Sequence, residues 1–323
     1  MRRRDFLGLL GLWSLRAQAE PLATPTIGFL NAGSANAFSD RVAGFKLGLT
    51  EAGFTEGSNV TIEYRWADGK FDLLPKLAAD LVSRKVLVIV ATGNTPAAVA
   101  AKAATSTIPI LFVIADDPVK IGLVASFNRP GGNATGVSMR NKELVAKRLQ
   151  LLHDLVPTVG AAGLIVNPNN ATADSDADDF QKAASALGLQ FKVFRAGAAQ
   201  DFDRVFVTLA EQKVGALIIP ADPFFNNVRA EIIRLAARNS IPVIYFDKAF
   251  VSDGGLMSYG GSLPNAYRQV GQYTGRILKG EKPSELPVMQ PTEFELAINL
   301  KTAKTLGLGV PPQMLAIADH VIE

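Results

Sequence analysis

The chain has 323 residues, 20% of them charged, no cysteine and a formal net charge of +3. Residues 1–19 carry that surplus, four arginines against one aspartate, so the remainder is neutral. It holds no Lys/Arg cluster interleaved with aromatics, which excludes nucleic acid as the expected partner. The lack of cysteine excludes disulfides, thiolate metal sites, a cysteine nucleophile and a cysteine-linked lipid anchor, while the length suffices for two sizeable cores.

The first element is an export signal. Arg3-Arg4-Asp5-Phe6-Leu7 is a twin-arginine pattern, an apolar run follows to Leu15, and Ala17-Gln18-Ala19 is a small-x-small cleavage site. The run is shorter than the roughly 20 residues that span a bilayer. Residues 1–19 are therefore expected to be a twin-arginine or Sec signal peptide, and the chain from Glu20 onward to be periplasmic.

Beyond the signal one theme recurs: a short apolar run, a turn, and a segment of helical period. Strands are predicted at 26–30, 59–65, 86–90 and 109–114, then at 161–166, 190–194, 215–219 and 241–245. Several are continuous β-branched or apolar runs, the pattern of parallel strands covered on both faces. Helical patterns lie at 40–53, 72–84, 95–104, 141–155, 175–187, 201–212 and 225–239. The alternation predicts an α/β architecture, and its two rounds of four strands predict two doubly wound parallel-sheet lobes. The turn-rich Arg129-Pro130-Gly131-Gly132-Asn133 leads into Thr135-Gly136-Val137-Ser138, expected to be the first crossing between lobes. The region 256–260 and a helix over 263–279 are expected to return to the first lobe before the tail crosses back. The expected N-terminal lobe is thus 20–137 plus 251–286, and the C-terminal lobe 138–250 plus 287–323, joined by a multi-crossing hinge.

Ligands of doubly wound sheets sit beyond the carboxyl ends of the strands. The residues there are Ser34, Asn36 and Phe38 after the first strand, Thr92, Asn94 and Thr95 after the third, and Asp117 after the fourth. In the second lobe they are Asn167, Asp222 and Phe224, with Tyr259 further on. The set suits a small zwitterion: Thr92, Asn94 and Thr95 take its carboxylate, Asp117 or Asp222 its ammonium, and Phe38, Phe224 and Tyr259 its side chain. Asp117 and Asp222 each precede a proline, so each is equally readable as a helix N-cap. Catalytic patterns are missing. His153 and His320 are the sole histidines, with no partner at metal-ligand spacing. Nucleophile-elbow, P-loop and dinucleotide motifs do not occur. Neither an enzyme nor a metal or cofactor site is expected.

Several segments, in order, resemble one family. They are Gly53-Phe54-x-Glu56-Gly57-x-Asn59-Val60-x-Ile62-Glu63-Tyr64-Arg65, Asp117-Pro118-Val119 with Gly122-Leu123-Val124, and Arg129-Pro130-Gly131-Gly132-Asn133-x-Thr135-Gly136. Gly254-Gly255-Leu256-Met257-Ser258-Tyr259-Gly260, Pro291-Thr292-x-Phe294-Glu295-Leu296 and Asn299-Leu300-Lys301-Thr302-Ala303-Lys304 follow, before Pro311-Pro312 and Ala318-Asp319. Together they resemble the substrate-binding proteins of ABC transporters. The resemblance implies a type I periplasmic-binding-protein fold, a first-lobe ligand loop at 92–96 with Asp117 beside it, and no enzymatic activity. It further implies an amino-acid ligand, aromatic or hydrophobic in some members, and a permease partner in the membrane. Lys248 stands where close relatives are expected to carry arginine. With no cysteine to lipidate, the protein is expected to diffuse as a monomer, capturing its ligand by hinge closure. A ligand-sensing receptor partner is the alternative, and an exported hydrolase using Asp116, Asp117 and Asp222 a weaker one.

Overall fold

The computed structural model describes residues 24–93, 95–139 and 144–323. The expected signal peptide lies outside the described residues. In chain order the first lobe runs β1 (Thr26–Asn31), α1 (Ser39–Glu51), β2 (Thr61–Trp66), α2 (Leu74–Ser83), β3 (Val88–Thr92), α3 (Thr95–Ala104), β4 (Ile110–Ile114) and β5 (Ala134–Ser138). The second runs α4 (Val145–Leu155), β6 (Ala161–Val166), α5 (Ala173–Ala186), β7 (Gln190–Arg195), α6 (Asp201–Glu211), β8 (Ala216–Ile219), α7 (Pro223–Asn227), α8 (Arg229–Arg238), β9 (Val243–Tyr245), α9 (Lys248–Ser252) and β10 (Met257–Gly260). Then come α10 (Leu263–Leu278), β11 (Glu295–Asn299), α11 (Leu300–Thr305), α12 (Pro312–Ala316) and β12 (His320–Ile322).

The strands form two sheets, β2-β1-β3-β4-β5 and β12-β11-β10-β9-β8-β6-β7. All pairs in the first are parallel, and in the second β10 and β11 alone are antiparallel. Five strands of each sheet follow the doubly wound order 2-1-3-4-5, so the two rounds read in the sequence are two copies of one topology. Continuous apolar strands are required because each sheet is covered on both faces. In β1, Ile27 and Phe29 pack under α1 and α10, whereas Leu30 faces α2 and α3.

Three placements differ from the sequence reading. Residues 134–138, expected as a crossing, form β5, whose register with β4 runs from Ile110↔Ala134 to Ile114↔Ser138; the chain crosses after it. Residues 251–260, expected with the first lobe, belong to the second. β10 pairs with β9 and β11, and Leu256 and Met257 are buried in one cluster with Ile244, Leu296 and Ile298. Conversely, 287–289 stays beside β5, where Met289 bridges Val137 and the Thr135 hydroxyl donates to Leu286 O at 2.6 Å. Helix α10 does pack on the first lobe, against α1. An added Cβ at Gly48 would lie 1.9 Å from the Arg268 carbonyl, so glycine alone permits this helix spacing. The lobes are thus joined by three crossings, after β5, after β10 and before β11.

Candidate functional site

The carboxyl ends of both sheets face one another across the gap between the lobes. There they line a shared cavity. Its first-lobe wall is Phe38, Arg41, Gly93, Val113–Ala115, Leu263 and Tyr267; its second-lobe wall is Ala221–Pro223, Asn226 and Phe246, with Met139 at the first crossing. The lining is apolar and aromatic with a few polar groups, the composition of a ligand site.

Asp222 is the acid of this cavity, 4% exposed. It ends β8 and caps α7, with Pro223 preset for the first helical position. Its Oδ1 accepts from the Phe224 amide at 2.8 Å and Asn167 Nδ2 at 3.2 Å; its Oδ2 accepts from Asn170 Nδ2 at 2.8 Å. Burial pushes its carboxyl up to about 6, against the downward pull of these hydrogen bonds. The capping reading therefore holds for Asp222, and so does its position on the cavity wall.

Arg41 is the cation, 1% exposed in the first turn of α1. It forms a buried ion pair with Asp247 and donates from Nη2 to Asn226 Oδ1 at 3.1 Å, both partners belonging to the second lobe. Its guanidinium carbon lies 4.4 Å from the centre of the Phe38 ring. Burial is the largest influence and opposes its charge, but Asp247, Tyr267 and Asp40 together hold the group above its ordinary range. Asp247 in turn caps α9, accepting from the Ala249 amide. A second link between the lobes runs from the Ser34 amide and hydroxyl to Asn227 Oδ1, at 3.1 and 2.9 Å.

Gly93 closes the floor at the end of β3. Its φ of 81° is a left-handed conformation, and a Cβ there would meet Asn31 Oδ1 at 2.4 Å. Its amide donates to the Tyr267 hydroxyl at 3.1 Å. Burial pushes that phenol up.

Of the residues singled out in the sequence, Phe38 and Asp222 line the cavity, and Asn167 lies behind Asp222 as a donor. Thr92 is fully buried and accepts from Asn31 Nδ2 at 3.0 Å; Thr95 donates its hydroxyl to Asp116 at 2.5 Å. Neither is among the lining residues, and Asn94 lies outside the described residues. Asp117 faces a separate, wider opening shared with Lys120, Ser138 and Asp179, and its carboxylate accepts from the Val119 and Lys120 amides. Asn36 is exposed, on a third groove. Ser34 links the lobes. Phe224 packs on Phe202 and Phe225, and Tyr259 on Phe294 in the second-lobe core. Lys248 starts α9 and pairs with Glu295 and His320.

Sequence reasoning passed over Arg41, Tyr267 and Asn226. A signal for Arg41 existed: Phe38, Arg41, Phe45 and Leu49 share one helical stripe, which puts a charge on the buried face. Among the described residues there is no cluster of three or more His, Cys, Asp or Glu able to hold a metal. No helix among them is long and apolar enough to cross a membrane.

A family model described as ABC transporter substrate binding protein matches residues 27–322. The chain is 28% identical over 265 residues to a "Tyrosine-binding protein" of Clostridioides difficile (strain R20291), covering 82% of this chain and 76% of that one. It is similar to the solved structure of an ABC domain from Streptococcus pneumonia in complex with L-Trp. That match has 26% identity and a TM-score of 0.84, and covers 93% of this chain and 100% of the other. A ligand-free, open substrate binding protein from Clostridium difficile is 27% identical, with a TM-score of 0.66 over 92% of this chain and 99% of its own.

Proposed function

Because the chain belongs to the ABC transporter substrate binding protein family, we propose that it is the periplasmic capture component of an importer and that its ligand is an amino acid with an aromatic side chain. The observation that carries this reading is the cavity between the lobes, with aromatic walls from Phe38, Phe246 and Tyr267 and a buried carboxylate, Asp222, on one side. An ammonium group entering beside Asp222 restores the ionised carboxylate that burial disfavours. The aromatic lining matches a ring in area and in quadrupole. The named relatives, one a tyrosine-binding protein and one solved with L-Trp, support the same ligand class.

Capture works by closure. Two interlobe links, Arg41 with Asp247 and Asn226, and Ser34 with Asn227, exist only when the lobes meet. The two structural relatives have nearly equal identity to this chain, yet the L-Trp complex superposes with a TM-score of 0.84 and the open form with 0.66. That difference supports reading the described arrangement as the closed state. A ligand touching both walls shifts the balance toward closure by its differential affinity for the two states. The closed form then docks on a membrane permease, and the ligand leaves unaltered.

Calorimetric titration with the common amino acids tests the ligand class, with stoichiometric binding of tyrosine or tryptophan expected. Small-angle scattering with and without ligand tests closure, with a smaller radius of gyration expected when bound. Turnover of the ligand, or binding of sugars in place of amino acids, overturns the reading.

A further inference from the structure

Arg41 presents an anomaly that interlobe bonding does not explain. It is a full charge with 1% exposure, placed in the first turn of a helix. The partial positive charge of a helix N-terminus disfavours a cation there. Both hydrogen bonds it makes leave from Nη2, to Asn226 and Asp247. Its Nε–H is buried and has no acceptor. A buried donor without a partner is costly, more so on a charged group, and such orphans call for an explanation. This one belongs to a side chain that lines the cavity, with Phe38 held against its face.

The same cavity also carries an acid. Asp222 has all its nearby donors on its own lobe, and Asn226 stands between it and Arg41, accepting from Arg41 and donating to the Asp222 carbonyl. A ligand that meets both charges carries an anion and a cation close together, with an apolar group against the aromatic wall. Thr92 and Thr95 are not among the residues that line the cavity. The Thr92 hydroxyl is engaged by Asn31 and the Thr95 hydroxyl by Asp116.

We propose that Arg41 is the carboxylate receptor of the site: the ligand's carboxylate accepts the unpartnered Nε–H, so the residue that ties the lobes together also reads the ligand's anionic end. The inference rests on the amino-acid reading for its ammonium end only. An anionic group at Arg41 is called for whether or not a cation sits at Asp222. Recognition and closure then share one guanidinium. A ligand lacking the carboxylate fills the cavity but leaves the orphaned donor in place.

Four probes separate the two ends: L-tyrosine, tyramine without the carboxylate, 3-(4-hydroxyphenyl)propionic acid without the ammonium, and p-cresol with neither. Each is titrated calorimetrically into the full-length mature protein, into Arg41→Gln, and into Arg41→Gln combined with Asp247→Asn. The double variant removes the buried carboxylate that the single change strands while keeping the Asp247 side-chain cap, and thermal melting checks folding. For the unaltered protein, tyramine is expected to bind about a hundredfold more weakly than tyrosine, the size of a charged hydrogen bond made in a desolvated site. In the variants that ratio falls to about fivefold or less. A residue that only ties the lobes weakens both probes alike and leaves the ratio unchanged, which overturns the proposal. Equal binding of tyrosine and tyramine to the unaltered protein overturns it too, with the amino-acid reading intact. If the propionic acid binds and tyrosine does not, the ammonium reading fails and the Arg41 assignment stands. Binding of none of the four overturns both.

Discussion

Replacing Asp222 by asparagine separates the electrostatics of the site from its shape. The folded carboxyl titrates at about 6 against an ordinary 3.8, raised by burial. At about 1.36 kcal/mol per pH unit, those two units amount to about 3 kcal/mol. The sign follows from linkage: the protonated form is preferred in the folded state, so the stability attached to the group is fully present below about pH 4. It is lost as pH rises through about 6. Asparagine carries no such titration. It also keeps the Oδ1 acceptor for the Phe224 amide and Asn167, so the cap of α7 survives. The other end suffers, because the new amide confronts Asn170 Nδ2. Asn170 cannot flip freely, since its Oδ1 already accepts from the Thr172 amide and hydroxyl. That clash costs about 1–3 kcal/mol at any pH. Asp222→Asn is therefore expected to be the less stable protein at pH 4 and close to parity at pH 7, a relative swing of about 3 kcal/mol. Urea denaturation of both ligand-free proteins between pH 4 and pH 7 measures it. Parallel stability curves would refute the assignment of a buried, reluctantly ionised carboxylate.

Further consequences concern the ligand and the packing. Tyrosine affinity is expected to fall as pH drops below about 6, by up to about tenfold per unit, because protonated Asp222 no longer pairs with an ammonium; calorimetry should find the slope in the unaltered protein and none in Asp222→Asn. Asn227→Ala deletes the acceptor of two interlobe hydrogen bonds from Ser34. At about 1 kcal/mol each, ligand affinity falls by up to about thirtyfold and the ligand-free protein scatters as a more open particle; unchanged affinity and shape would count against Asn227 as a link that operates on closure. Gly48→Ala forces a methyl group against the Arg268 carbonyl between α1 and α10, lowering stability by about 3 kcal/mol in urea. A variant as stable as the parent would mean that the helices can separate without cost.

The proposed closure accounts for where these polar partners stand. Arg41 and Asp247 lie on different lobes, as do Ser34 and Asn227. The Arg41–Asp247 pair is buried between the lobes, and a buried ion pair by itself adds little to stability. On the capture reading proposed above, the closed form is held in a balance that an occupied cavity can tip.

The periodicity of apolar residues alone determined the two-lobed α/β architecture. Strands covered on both faces must be continuously apolar, and β1, β3, β4, β6 and β8 read that way in any context. The polar turns at their carboxyl ends were legible for the same local reason, and through them Phe38 and Asp222. Local pattern could not decide which sheet a short strand joins. β10 has four residues and β12 three; β10 pairs with β9 and with the more distant β11, β12 pairs with β11, and the placing of β10 depends on where Leu256 and Met257 find a core. Nor could it decide which strand-end residue faces the gap. Thr92 and Thr95 turned inward to Asn31 and Asp116, Tyr259 packed on Phe294, and Arg41 arrived from a helix face that reads as core. Side-chain direction at a chain reversal is set by nonlocal packing, so the fold was written in the sequence of apolar runs while the charges of the cavity were settled by the meeting of two lobes.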